Sequence, residues 1–356
     1  MDSVRINKLR EQFQNYNISG IYITNITNVR YLTGFTGSAG SVLILSESAY
    51  FFTDGRYTEQ VKDQIKNCQV FITGSSHIKE IESQKLLSSG SKIGFESDHI
   101  SFSSFQILKN SFSGIDWVET SNAVEFIAAV KDMNEIESLK TAVEITDTVF
   151  DEIVPIIKEG VTENKIAATM SYKFKEHGAD GDSYDPIVAS GWRSALPHAT
   201  PTNKTLEKGD FVVMDFGALY NGYHADMTRT IVIGKASDRH KEIYQIVLDS
   251  QLAGIQKAQA GITGAEVDKA CRDVISDAGY GEYFNHSTGH GLGLEVHTHP
   301  RLSSLNKEPL IENYVVTIEP GIYLPKWGGV RIEDDCWIKS DKCIPLNTSS
   351  KNLIEL

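Results

Sequence analysis

The last two-thirds of this chain repeats itself, and the repeat carries acids. Gly160-Val161-Thr162 returns as Gly261-Ile262-Thr263, and Gly178 as Gly279, each 101 residues later. Leu206 to Leu219 (LEKGDFVVMDFGAL) aligns with Leu310 to Tyr323 (LIENYVVTIEPGIY) at an offset of 104, laying Asp215 on Glu319 and Gly217 on Gly321. Gly222 and Asp226 then fall on Gly329 and Glu333 at an offset of 107. An ordered drift of offsets is what duplication followed by small insertions leaves behind. Apolar residues at Ile136, Leu139, Val143, Phe150, Ile153 and Ile157 predict a long helix ending before Gly160. A second helix is expected from Thr162, as N-cap, to just before Gly178. The segment Ile243 to Gln259 stands before Gly261 as that first helix stands before Gly160. The expected unit is therefore helix–helix–hairpin, present twice and related by an approximate two-fold axis.

The hairpins concentrate charge. If the first turns between Tyr220 and Asn221, Asp215 and Asp226 lie directly opposite. If it turns at Asn221-Gly222 they are diagonal neighbours, still on one face because strand side chains alternate. The second hairpin does the same for Glu319 and Glu333 about Lys326. Apolar runs precede the acids, Phe211 to Met214 and Val315 to Ile318, and such runs mark interior strands where an unpaired carboxylate is rare. Four like charges there need a cation. Salt bridges to Arg229 and Arg331 are one answer. A metal centre is the preferred one, since bridging carboxylates can hold two divalent ions. His286, His290, His297 and His299 crowd into a Gly-rich stretch nearby and supply imidazole. A rival zinc site would use the His297-x-His299 pair, but it leaves the matched acids unexplained.

The first 126 residues read differently. Short β-rich runs at Ile21 to Thr24, Val42 to Leu45, Tyr50 to Thr53, Val70 to Thr73 and Ile93 to Phe95 alternate with helical stretches, which predicts a separate α/β domain. The expected division is an N-terminal domain over 1–126 and an α+β domain over 127–356. Net charge is −13, with 34 basic against 47 acidic residues, so capture of nucleic acid or anionic membrane is not expected. Nothing approaches a membrane span. Met1 to Arg10 is polar, without the apolar core of a secretory signal. Cys68, Cys271, Cys336 and Cys343 are scattered, as in a reducing cytoplasm.

These residues resemble a family. Met214-Asp215-Phe216-Gly217, Ala225 to Thr230 (ADMTRT), Ser287 to Gly291 (STGHG), Thr317 to Gly321 (TIEPG) and Gly329 to Asp335 (GVRIEDD) are similar, in order and spacing, to the ligand motifs of the pita-bread metallopeptidases. Asn28 to Ser38 (NVRYLTGFTGS) and Thr53 to Tyr57 (TDGRY) resemble the creatinase-type domain that precedes the catalytic one in prolidases and aminopeptidase P. The resemblance implies that Asp215, Asp226, His290, Glu319 and Glu333 bind two divalent ions, with Asp226 and Glu333 bridging. It implies manganese or cobalt, and four oxygens with one imidazole agree with manganese, zinc being a further possibility. It implies hydrolysis of the bond before proline, with Glu319 as general base. His198, His286 and His297 would be catalytic and substrate-binding groups, and Arg331 would hold a ligand carboxylate. Relatives carry an acid after His297 where this chain has Thr298, which bears on the protonation of that imidazole. A homodimer is expected by analogy.

The leading reading is an Xaa-Pro aminopeptidase acting on proline-containing peptides. The alternative is an Xaa-Pro dipeptidase, which needs a cation to meet its substrate's carboxylate. A remote alternative, a metal-free binding protein of this fold, conflicts with retention of all five ligands.

Overall fold

The computed structural model describes residues 2–74 and 76–356. The chain divides into two compact units, Met1–Ala128 and Ala129–Leu356.

The N-terminal unit is built on a six-stranded mixed sheet. Its strands are β1 (Gly20–Ile23), β2 (Ser41–Leu45), β3 (Ala49–Thr53), β4 (Gln69–Ile72), β5 (Lys92–Glu96) and β6 (Asp116–Thr120), in the order β4-β3-β2-β1-β5-β6. The β2–β3 hairpin expected from sequence forms with Val42 opposite Phe51. Helices α1 (Ile26–Thr33) and α2 (Phe102–Ser111) begin at Asn25 and Ser101, whose side chains accept from Thr27 N and Ser104 N. Tyr57 to Ile65, read as one helix, is a 3₁₀ turn over Gly55–Tyr57 followed by a short helix over Gln60–Gln64.

In the second unit the duplicated pattern is visible as architecture. Helices α3 (Met133–Ile153) and α4 (Glu163–Glu176) precede the first hairpin, and α5 (Asp238–Lys257) and α6 (Gly264–Asp277) precede the second. Thr162 and Thr263 both act as N-caps, accepting from Lys165 N and Glu266 N. Strand β7 (Ile187–Ser190) flanks the first hairpin, which comprises β8 (Phe211–Phe216), β9 (Ala218–Tyr220), β10 (Tyr223–His224) and β11 (Met227–Val232). Strands β12 (Gly289–Gly291) and β13 (Thr298–Leu302) flank the second, made of β14 (Val315–Ile318), β15 (Gly321–Leu324), β16 (Gly328–Arg331) and β17 (Asp334–Ile338).

Alternation then sorts the side chains. Val212, Met214 and Phe216 pack against Val149, Phe150, Met170 and Phe174 of the first helix pair. Val316 and Ile318 pack against Val247, Val267, Cys271 and Ile275 of the second. Each such side chain contributes roughly 1.5–3 kcal/mol by leaving water. The intervening positions, including Asp215, Thr317 and Glu319, face the other way. The two hairpins join where Thr230 and Arg331 exchange hydrogen bonds and Glu333 N donates to Thr228 O. No helix among the described residues is long and apolar enough to cross a membrane.

The register chooses between the two sequence alternatives for the first hairpin. Asp215 pairs with Thr228 and Leu219 with His224, so the turn is Asn221-Gly222 and Asp226 is a diagonal neighbour of Asp215. Both turn residues have positive φ, 50° and 75°, the conformation a two-residue hairpin demands. In the second hairpin Ile318 pairs with Asp334 and Gly321 with Arg331, which brackets Glu319 opposite Glu333 as expected.

Each hairpin also breaks its ladder at the acids. Residue 217 separates β8 from β9, and residues 319–320 separate β14 from β15. At the first break a Cβ on Gly217 would lie 1.8 Å from the Ala225 carbonyl oxygen. Only glycine allows that approach. Gly217→Ala is expected to lower stability by roughly 3 kcal/mol, seen as a lower urea midpoint at unchanged slope. A wild-type midpoint would show that the close approach is not required.

Candidate metal centre

Between the two hairpins lies a cavity of about 320 Å³ lined by Asp215, Asp226, His290, Glu319 and Glu333. The same cavity is lined by His198, His286, His297 and Arg331. The five ligand candidates, three of the histidines and Arg331 therefore face one space.

The acids are not equally placed. Asp226, His290 and Glu333 form the tightest group, offering ligand atoms within 4.8 Å of one another, all buried. His290 Nε2 is 3.6 Å from Asp226 Oδ2 and 3.5 Å from Glu319 Oε1. Asp215 is engaged on its outer side, where Arg331 Nη2 donates to Oδ2 at 2.5 Å. The Tyr184 hydroxyl contacts both Asp215 and Asp226. Thr228 Oγ1 donates to Glu333 Oε2 at 2.6 Å.

Electrostatics set the clustered acids against one another. Burial, then Asp215, Asp335 and Glu319, pushes the Asp226 carboxyl well above its ordinary range. Burial, then Asp226, does the same to Glu333. Glu319 is pushed up to about 8, chiefly by burial, with Arg331 opposing. The His290 imidazole is driven down to about 3 by burial and by His297. Its Nδ1 faces the Gly291 carbonyl oxygen at 3.2 Å, which keeps the proton there and aims the Nε2 lone pair at the acids. Asp226 Oδ2 and Glu319 Oε1 both lie within 3.6 Å of the His290 Nε2 lone pair. That donor set fits a hard or borderline divalent ion, and deprotonated carboxylates with neutral imidazole are the forms it binds.

Two of the flanking histidines are positioned by hydrogen bonds or ring contact. His286 Nε2 meets the Tyr323 hydroxyl at 2.9 Å, and that hydroxyl accepts from Arg331 Nη1 at 2.9 Å. Burial and then Arg331 push His286 down to about 4. Its carbonyl oxygen accepts from Arg272, which Asp268 grips from one turn away on α6. His297 packs edge-on against His290, with ring centroids 4.3 Å apart. His198 makes no hydrogen bond among the described residues, which leaves both its nitrogens available. Thr298 turns its hydroxyl to the His299 carbonyl, and burial and then Arg301 hold the His297 pKa below its usual value.

The structure separates the rival zinc pair. His299 does not line the cavity, and its Nε2 lies 3.7 Å from Glu308. Arg229 pairs with Asp334 at 2.8 Å, not with any of the four matched acids, and it donates to the Glu333 carbonyl at 2.6 Å. Sequence reasoning missed Tyr184, Tyr323 and Arg301. Tyr184 follows Ser183 in a turn with no periodicity to mark it. Arg301 sits two residues beyond His299 and could have been noticed as a cation following the His-rich segment.

Comparison with known proteins gives this geometry a lineage. Residues 137–340 match the family model described as metallopeptidase family M24, and residues 5–127 match the creatinase/prolidase N-terminal domain. The chain is similar to a solved structure of an Xaa-Pro dipeptidase from Bacillus anthracis, with 44% identity, TM-score 0.97 and full coverage of both chains. An X-Pro aminopeptidase structure from Thermotoga maritima is 39% identical at TM-score 0.90, covering 97% of this chain and 100% of the other. The Xaa-Pro dipeptidase of Pyrococcus horikoshii is 38% identical over 98% of each chain. The convergent acids and imidazole thus lie in the part of the chain that matches the metallopeptidase model, which follows the creatinase-type domain in sequence. This chain belongs to metallopeptidase family M24.

Proposed function

We propose that this chain is an Xaa-Pro dipeptidase working with two divalent ions, manganese by preference, held by Asp215, Asp226, His290, Glu319 and Glu333. Asp226 and Glu333, the more deeply buried two of these four acids, would be the shared ligands in this reading. Names of similar proteins divide between dipeptidase and aminopeptidase. The observation that favours the dipeptide is Arg301. It lines the cavity, and unlike that of Arg331 its guanidinium has no ion pair or hydrogen bond among the described residues, only its backbone being bonded. A free guanidinium beside the reacting centre suits the carboxylate of a two-residue substrate, a pairing that a longer peptide forfeits.

When bound, the ions lower the pKa of a water and polarise the scissile carbonyl. Glu319 acts as general base, taking a proton from that water and passing it to the proline nitrogen as the bond opens. His198, His286 and His297 converge where charge develops on the carbonyl oxygen and steady it. Arg331 holds Asp215 in place while Tyr323 links that guanidinium to His286. The X-Pro bond has no N–H and a fixed ring, so a pocket that ignores the missing donor accepts what general peptidases reject.

Chelation is expected to abolish hydrolysis of Ala-Pro. Manganese at a hundred times its Kd should then restore activity and add about 2.7 kcal/mol of stability, read as a higher Tm. Absence of bound metal together with inertness toward Ala-Pro and Ala-Pro-Ala would remove the enzyme reading. Arg301→Met should raise KM for Ala-Pro about tenfold or more at little cost to kcat, as loss of a charge-assisted bond does. Equal cleavage of Ala-Pro-Ala and Ala-Pro by wild type would favour the aminopeptidase. Glu319→Gln should keep most of the metal and lower kcat by roughly two to four orders of magnitude; unchanged turnover would contradict its role as base.

A further inference from the structure

We propose that Glu163 is a positioning residue whose buried carboxylate clamps both feet of the loop 190–202 and so fixes where His198 meets the substrate. The proposal rests on the reading of His198 given above. Glu163 opens helix α4 and is fully buried. Its Oε1 accepts from Ser190 N at 2.8 Å and Ser190 Oγ at 2.9 Å, at the entry to the loop. Its Oε2 accepts from Thr202 N at 3.0 Å and Thr202 Oγ1 at 2.8 Å, at the exit. Arg193 Nε, from within the loop, lies 3.2 Å from both oxygens, and Arg193 Nη2 crosses the loop to the Thr200 carbonyl at 2.6 Å. One charged group thus ties entry, exit and interior together.

Burial holds the loop only in part: Ser194 and Ala199 are buried, whereas the large apolar side chains are not. Trp192 is 54% exposed and Leu196 44%. Its further anchors include Gly329 N to Ser194 Oγ at 2.8 Å, Arg331 Nη1 to the Pro197 carbonyl at 3.3 Å, Lys204 Nζ to Ser190 Oγ at 3.1 Å and Asn164 N to the Thr202 carbonyl at 2.9 Å. Pro197 and His198 line the cavity from this loop. Among the described residues His198 has no hydrogen bond of its own, so its position is inherited from the backbone that carries it. A carboxylate is required at Glu163 because every neighbour is a donor. An amide there would turn an N–H₂ toward the Ser190 or the Thr202 donors and leave one foot unpaired.

The test combines a double-mutant cycle with proteolysis. Glu163→Gln is expected to lower kcat/KM for Ala-Pro roughly ten- to a hundredfold, the scale of a misplaced catalytic group. In a His198→Ala background the same change should cost little more, because its effect runs through His198. The manganese titration should be unaltered, and trypsin should cut after Arg193 in the variant while sparing wild type. Should Glu163→Gln not fold, Thr202→Val removes one donor, keeps the charge pair and should show the same pattern at about threefold amplitude. Full additivity with His198→Ala, or an Arg193 bond as resistant as wild type, would overturn the clamp. If His198→Ala itself retains the wild-type rate, the substrate role of His198 fails and the proposal falls with it. A costly His198→Ala beside a harmless Glu163→Gln overturns the clamp alone.

Discussion

Asp226 and Glu333 are 4% and 1% exposed, beside one another and beside Glu319, and this crowding of like charge governs the rest of the unit. Desolvating a carboxylate costs several kcal/mol, and a like-charged neighbour adds to it. The fold supplies one partial remedy, the Arg331 guanidinium on Asp215, and leaves the inner acids facing an imidazole lone pair. The dications proposed above would resolve the conflict by turning mutual repulsion into coordination. The ladder breaks at residues 217 and 319–320, the buried arginines and the glycine at the first kink are all ways of bringing these carboxylates to one point.

The buried arginines divide the labour. Arg331 works toward the cavity, reaching Asp215, Tyr323 and the Pro197 carbonyl. Arg229 works behind it, joining the backbone of Thr228 and Glu333 to Asp334 and to the chain end at Ser349. Lys351 adds a second cation to Asp334 at 2.5 Å. Burial alone would raise the Asp334 carboxyl, yet its pKa is lowered, because these two cations outweigh desolvation. The charge of Asp334 is therefore neutralised within the protein, whereas the charge facing the cavity is what the proposed ions would neutralise.

Much of this was legible in the sequence because periodicity and duplication act locally. The drifting offsets located the acids, and alternation along Phe211 to Phe216 and Val315 to Glu319 told which side they face. The helix caps at Thr162 and Thr263 followed from residue type. The turn of the first hairpin stayed open between two positions, because a one-residue choice there depends on where Gly217 lets the strand kink. Tyr184, Tyr323 and Glu163 were not legible. Each acts through partners 8 to 42 positions away in sequence, and nothing in the neighbouring residues signals those partners.

The sequence by itself determined the duplicated scaffold, the two-domain order and the identity of the acids that converge, since these rest on pattern and residue chemistry along the chain, while the family resemblance named His290 among the clustered histidines. Only the tertiary structure decided which arginine serves which carboxylate, that His297 and His299 part company, and that a single buried glutamate gathers the loop bearing His198. Those outcomes are set by distance and direction between strands that meet across the two-fold, and no spacing along one strand encodes them.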